Sequence, residues 1–278
     1  MPMNHRILRP LARPLLLDAV PGAAAAYSLR QLSNAYTGPV VTVRRSSDNA
    51  EADFKASEID DGTLASFVGG GNDGLVKTWF DQSGNGRDAS QATSANQPKI
   101  VSSGSLVTEG GKAALEFDGT NDFMRSDLVS TNQQYSTFFV YKHTALFGGT
   151  ERILSLNGNL SATSAAEVAG QISSNNIVVL QDGVAVGSPA ATLTIGQKYL
   201  LYFSVGIGST PLNLFIDGQP TASSSTSTSP AGSGSLLNIF ARGDGVANAG
   251  GLAQELIIYP FDQSANRQRT EGDIAWYY

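Results

Sequence analysis

The sequence predicts an all-β protein, two stacked antiparallel layers with short helices at the periphery, and three observations carry that prediction. Beyond residue 113, short apolar runs such as "STFFVYK", "NIVVL", "YLLYFSV", "LNLFI" and "QELIIY" alternate with turn-forming stretches. They recur at roughly 10–20 residues, the rhythm of sandwich strands and not of βαβ units. Asp-Gly pairs at Asp118-Gly119, Asp182-Gly183 and Asp217-Gly218 stand where tight hairpins need positive φ. Finally, 30 glycines and only 15% charged residues, against the ~25% usual in soluble domains, describe a turn-rich chain whose polar surface is Ser, Thr, Asn and Gln.

Taken in order, "AAAAYSLRQLSNAY", residues 23–36, has the one early helical spacing, ending at Gly38-Pro39. "PVVTVRRSS" follows as a strand, and "EIDDGTLASFVGGGNDG" as a short helix or turn closed by glycines. Strands then run to the C-terminal region, with "AALEF", "RILSL", "EVAGQI" and "LLNIF" completing the set. Residues 219–235, "QPTASSSTSTSPAGSGS", are low-complexity and read as a loop. "DQSANRQRTEGDIAWYY" closes as a short helix started by Asp262 or Ser264, with Ile274 and Trp276–Tyr278 packing back. Residues 1–21 are expected to be a basic, proline-stiffened docking arm and 22–278 one sandwich domain.

Composition also excludes. A net charge of −6 gives nucleic acid no electrostatic footprint. With no cysteine, disulfides and thiolate–zinc sites are out. No apolar run approaches the ~20 residues of a membrane span. Pro10, Pro14 and Asp18 interrupt any signal-peptide pattern at the start. Two histidines, His5 and His143, cannot furnish a histidine-rich metal site, and His143 is expected at the surface or a rim.

The stretch "TWFDQSGNGRDA", Thr78 to Ala89, together with "AAAAYSLRQLSNAYTGPVVTVRRSSDNAEADF" and the late "FARGDGVANAGGLAQE", resembles the catalytic-domain family of arabinofuranosidase B. The resemblance implies a concanavalin A-like jelly-roll sandwich of the lectin, glucanase and laminin-G kind. It places Asp244 where that family has its acid/base aspartate. The family's nucleophilic glutamate falls in "VVLQDGVAV", which offers Gln181 and Asp182 instead. A glutamine amide carries no charge to attack an oxocarbenium centre, so Asp182 is left as a weak partner for Asp244. The Thr78–Ala89 stretch and the closing "R…EGDIAWYY" also resemble such domains in phage particles.

For the loop in "WFDQSGNGRDA" two readings stand. Asp81 and Ser83 can hold backbone amides while Gly84 and Gly86 take turn conformations. Alternatively, Trp79, Asp81, Asn85 and Asp88, with Asp244, bind sugar, with Tyr141 and Tyr202 as further aromatic candidates. Asp81, Asp88, Asp118 and Asp122 are the calcium candidates, being closely spaced carboxylates in glycine loops. The leading expectation is a non-catalytic, lectin-like protein of a phage tail, fibre or capsid. It would dock on other virion proteins through residues 1–20, touch host-surface polysaccharide and assemble as a homo-oligomer, by analogy a trimer. The alternatives are a glycoside hydrolase of the arabinofuranosidase type acting on surface polysaccharide, secreted and not on a particle, and a purely structural virion protein.

Overall fold

The computed structural model describes residues 13–127, 135–145, 150–158, 168–173, 176–181, 184–185, 191–205, 212–224, 236–241, 245 and 248–278. Within these, the expected antiparallel sandwich is present. Layer I is built from β1 (Ala25–Ser28), β7 (Leu115–Asp118), β9 (Tyr135–His143), β13 (Lys198–Val205), β14 (Leu212–Ile216), β15 (Gln219–Ser224) and β17 (Gly250–Tyr259). Its order is β15-β14-β13-β9-β17, and the far edge of β17 takes β1 against residues 255–258 and β7 against 250–253. Layer II contains β2 (Val41–Arg45), β3 (Glu51–Phe54), β4 (Gly74–Trp79), β5 (Ala89–Ser90), β8 (Met124–Asp127), β10 (Thr150–Gly158), β11 (Val168–Ser173), β12 (Asn176–Gln181) and β16 (Leu236–Ile239). The order there is β12-β11-β10-β16-β8-β5-β4-β2-β3. β6 (Lys99–Ser102) pairs with both β4 and β7 and joins the layers along one edge.

The central strands of layer I read as unbroken apolar runs because both of their faces are buried. Phe139, Tyr141, Leu201, Phe203, Leu256 and Ile258 point into the space between the layers. Their neighbours Phe138, Val140, Leu200, Tyr202, Ile257 and Tyr259 point outward into a second apolar cluster. Helices cover that outer face: α1 (Leu16–Ala19) contributes Leu16 and Leu17, and α4 (Arg267–Tyr277) contributes Ile274. Residues 16–20 therefore belong to the body, and Val20 is 2% exposed; what precedes residue 13 lies outside the described residues. A buried ion network fastens α4 down. Arg30 Nε meets Glu255 Oε2 at 2.7 Å, its Nη2 meets Asp273 at 3.0 Å, and Ser28 Oγ donates to Glu255 at 2.8 Å.

Several local expectations change. Residues 25–28 form a strand and not a helix, because pairing with β17 buries every residue of β1 and overrides the alanine helix preference. α4 starts at Arg267, since Asp262 spends both carboxylate oxygens on Ser264 in the preceding turn. Trp276 is 74% exposed and does not pack back, whereas Tyr278 reaches Glu255 with its hydroxyl. His143 is fully buried, with Nδ1 2.5 Å from the Tyr141 hydroxyl, and burial pushes its pKa down. The short helices α2 (Ala56–Asp60) and α3 (Thr63–Val68) stand where expected. So does the Asp217-Gly218 hairpin, with φ of 50° and 77° at its two central residues. Asp118-Gly119 opens a loop and makes no hairpin, because β7 pairs with β17 and not with β8.

Candidate functional site

The loop after β4 is a staple. Asp81 is 3% exposed. One of its oxygens accepts from the amides of Ala26 at 2.8 Å and Ser83 at 2.9 Å, and the other from Ser83 Oγ at 2.7 Å and the Arg87 amide at 3.1 Å. Gln82 accepts from the Leu32 amide at 2.8 Å and donates to the carbonyls of Ser28 and Arg30. Asn85 donates to the carbonyls of Ala23 and Ala24. Gly84 and Gly86 turn with φ of 89° and 68°. The motif thus pins residues 23–32 to layer II, and Gln82, which sequence reasoning passed over, is central to it. Trp79 is fully buried against Tyr27, at 5.7 Å between ring centres, and offers no face to a sugar. Tyr141 and Tyr202 are likewise core, at 0% and 1% exposure.

The loop nevertheless positions a site. The Arg87 carbonyl accepts from Tyr27 at 2.6 Å and from Ser126 Oγ of β8 at 2.8 Å, which sets the next residues along the rim of a groove. That groove, of about 440 Å³, is lined by Asp88, Ser90, Gln91, Phe123, Arg125 and Asp127. Its size falls in the ~300–1,000 Å³ range of small-molecule pockets. Asp88 accepts from the Asp81 amide at 2.9 Å. Asp127 is exposed, and no described residue hydrogen-bonds its carboxylate. The Arg125 guanidinium lies 5.2 Å from the centre of the Phe123 ring and donates through Nε to Asn238 Oδ1 at 2.7 Å. Gly245, with φ of 84°, abuts this pair. A β-carbon there would stand 3.3 Å from Phe123 Cζ and 3.6 Å from Arg125 Nη2, and the positive φ favours glycine. Asp244 and Asp182 lie outside the described residues.

The groove's floor is the outer face of layer II at β5 and β8, where Ser90 and Arg125 lie. Ala89, Met124, Leu154, Leu156, Leu237 and Ile239 turn inward to the core. Their strand neighbours Ser90, Arg125, Asn238 and Ser155 therefore face outward, and the register aligns them across β5, β8, β16 and β10.

The other carboxylate cluster folds upon itself. Asp118 accepts from the amides of Thr120, Asn121 and Asp122, while Asp122 accepts from the Asp118 amide at 3.1 Å. Burial, reinforced by the charge on Asp118, pushes the Asp122 carboxyl up to about 7. Among the described residues, no group of three or more His, Asp or Glu is arranged to hold a metal ion. Asp81, Asp88, Asp118 and Asp122 sit in two separate loops, each engaged with backbone amides.

Residues 17–134 match the sequence model of the family described as alpha-L-arabinofuranosidase B, catalytic. A search of curated proteins returns no match. Among solved structures, a glutamate-to-glutamine mutant of a GH54 α-L-arabinofuranosidase soaked with 4-nitrophenyl α-L-arabinofuranoside superposes with a TM-score of 0.71 at 15% identity. An arabinofuranosidase complexed with arabinofuranosyl-α-1,2-xylobiose gives 0.69 at 14%. Each alignment covers 93% of this chain and 64% of the other, so the chain spans under two thirds of those proteins. A Trypanosoma rangeli sialidase in complex with the inhibitor DANA gives 0.51 at 16%, over 70% of this chain and 30% of its own. At such identities the structural likeness establishes the β-sandwich fold. The family match corrects the leading expectation. It runs from α1 through β8, over the strands that build the groove, and points to an arabinofuranosidase-type hydrolase and not to a non-catalytic lectin of a phage particle.

Proposed function

We propose that the chain is a glycoside hydrolase domain of the arabinofuranosidase type, acting on arabinose-containing polysaccharide in the groove of layer II. The observation that carries the reading is the coincidence of the family match, residues 17–134, with the strands β5 and β8 and the loop residues beside them that line that groove. The solved arabinofuranosidase structures that share the fold over 93% of this chain support it.

Hydrolysis of a glycosidic bond needs one carboxyl to protonate the departing oxygen and a second to attack the anomeric carbon or to take a proton from the attacking water. The resemblance assigns the first role to Asp244, whose neighbour Gly245 packs against Phe123 and Arg125 at the groove. Gln181 cannot fill the second role, having no charge. Asp127, an exposed carboxylate at the groove, is the group we assign to it. The test is release of arabinose from arabinan and arabinoxylan, and of nitrophenolate from 4-nitrophenyl arabinofuranoside. Asp244→Asn and Asp127→Asn should each lower turnover by about 100-fold or more. A wild-type chain that releases nothing from any of the three would refute the reading.

A further inference from the structure

The pairing of β5 with β8 sorts the lining of the groove into cross-strand pairs. Arg125 stands directly opposite Ser90. Continued just past the ends of these strands, that antiparallel register sets Asp127 against Asp88 and Phe123 against Ala92. All six residues line the groove. Like charges directly opposite one another destabilise a sheet, yet here two carboxylates face each other, and among the described residues neither forms an ion pair. The loop after β4 does not need the Asp88 charge. It uses only Oδ1, which accepts from the Asp81 amide at 2.9 Å, and the side-chain oxygen of an asparagine would accept that bond as well. No described residue hydrogen-bonds Asp88 Oδ2. A charge kept at a cost, with a spare acceptor on the wall of a groove, suits a ligand that donates.

We propose that Asp88 is a specificity-determining residue of the groove, its Oδ2 accepting a hydrogen bond from the 2-hydroxyl of the arabinofuranosyl unit whose anomeric carbon lies at Asp127. Directly opposite residues hold their β-carbons about 4.5–5.5 Å apart. Of the hydroxyls on the ring, the 2-hydroxyl is nearest the anomeric carbon, two bonds away, and is the one that a carboxylate this close to Asp127 can reach. A hydrogen bond to that hydroxyl also strengthens as the oxocarbenium-like transition state forms. The Phe123–Ala92 end offers no carboxylate, so the sugar is oriented with its anomeric carbon toward the acidic pair. The proposal rests on the reading that this groove takes an arabinosyl unit at Asp127.

The experiment compares the full wild-type chain with Asp88→Asn, chosen because it keeps the oxygen that the Asp81 amide needs. Titration calorimetry reads the affinity of each protein for methyl α-arabinofuranoside and for its 2-deoxy analogue, and thermal unfolding is followed without sugar. The wild type should bind the 2-deoxy sugar about 10-fold more weakly than the parent. Asp88→Asn should bind the parent about 10-fold more weakly than the wild type does, and should separate the two sugars by under about three-fold. Its unfolding temperature should stay level or rise, because the repulsion with Asp127 is gone. A wild type that binds both sugars alike, or neither, overturns the assignment before any variant is made. A variant that separates the sugars as strongly as the wild type overturns it too, whatever its unfolding temperature. Release of nitrophenolate from 4-nitrophenyl arabinofuranoside is read alongside. Discrimination that depends on Asp88 in a chain that releases none would sink the hydrolase reading and leave the 2-hydroxyl contact standing. Release by the wild type, with discrimination unchanged in Asp88→Asn, would do the reverse.

Discussion

The outer faces of the two layers are built from the same kind of strand and put to opposite uses. On layer I the outward residues are Phe138, Val140, Leu200, Tyr202, Ile257 and Tyr259, and helices lie over them. On layer II the outward row is Ser90, Arg125, Asn238 and Ser155, and beside it the chain leaves a groove carrying Asp88 and Asp127. A sheet sandwich needs only its inner faces to cohere. The covered face therefore adds stability, while the polar face leaves room for chemistry where Ser90 and Arg125 border the groove. Substitutions on layer I should therefore be felt in folding, and those on layer II in binding and turnover.

The largest expected effect is on the covered face. Phe138 packs 4.8 Å from Tyr202 and edge-on to Tyr259. Phe138→Ala should cost about 3–5 kcal/mol in denaturant unfolding. A cost under ~1 kcal/mol would mean that the helices are not seated on this face. Glu255→Gln, which strands Arg30 beside a half-broken network, should cost about 3 kcal/mol or more. Its loss should be seen as a lowered unfolding midpoint, with catalysis per folded molecule unchanged.

On the polar face, Asp127→Asn should leave stability within ~0.5 kcal/mol while removing most turnover. An unfolding curve shifted by several times that amount would erase the contrast between the faces. A smaller effect concerns pH. The Asp122 carboxyl is held up to about 7 by burial and by Asp118, above the ~3.9 of an exposed aspartate. The folded state thus favours the protonated form. The resulting stabilisation is complete below about pH 4 and is lost as pH rises through about 7. Asp122→Asn should flatten the stability profile across that interval, so that the variant gains on the wild type at pH 8. Parallel profiles for the two proteins would contradict this.

How much of this was legible beforehand follows from the range of the interactions. Asp217-Gly218 is a local signal with a local cause, and it marks a hairpin in the structure. The runs "FFVY", "YLLYF" and "LIIY" announce strands because each residue is apolar. That they lack polar alternation is itself the trace of two buried faces, legible only once the covering helices are known. Ala25–Ser28 misled because alanine favours helix in isolation, whereas pairing with residues 255–258 decides the matter from more than two hundred positions away. The loop after β4 offered the right residue types for the wrong purpose: Asp81 and Asn85 serve the backbone, and only Asp88 reaches the groove. The row from Ser90 to Ser155 could not be read at all. Its members come from four strands with no common spacing, and only the register of the folded layer brings them into line.

If the outer face of layer II is the working face, titration with an arabino-oligosaccharide should show it in the amide chemical shifts. Perturbations should cluster at Ser90, Gln91, Phe123, Arg125 and Asp127 and leave α4 and residues 81–86 unmoved. Shifts concentrated on α4, around the exposed Trp276 ring, would contradict it.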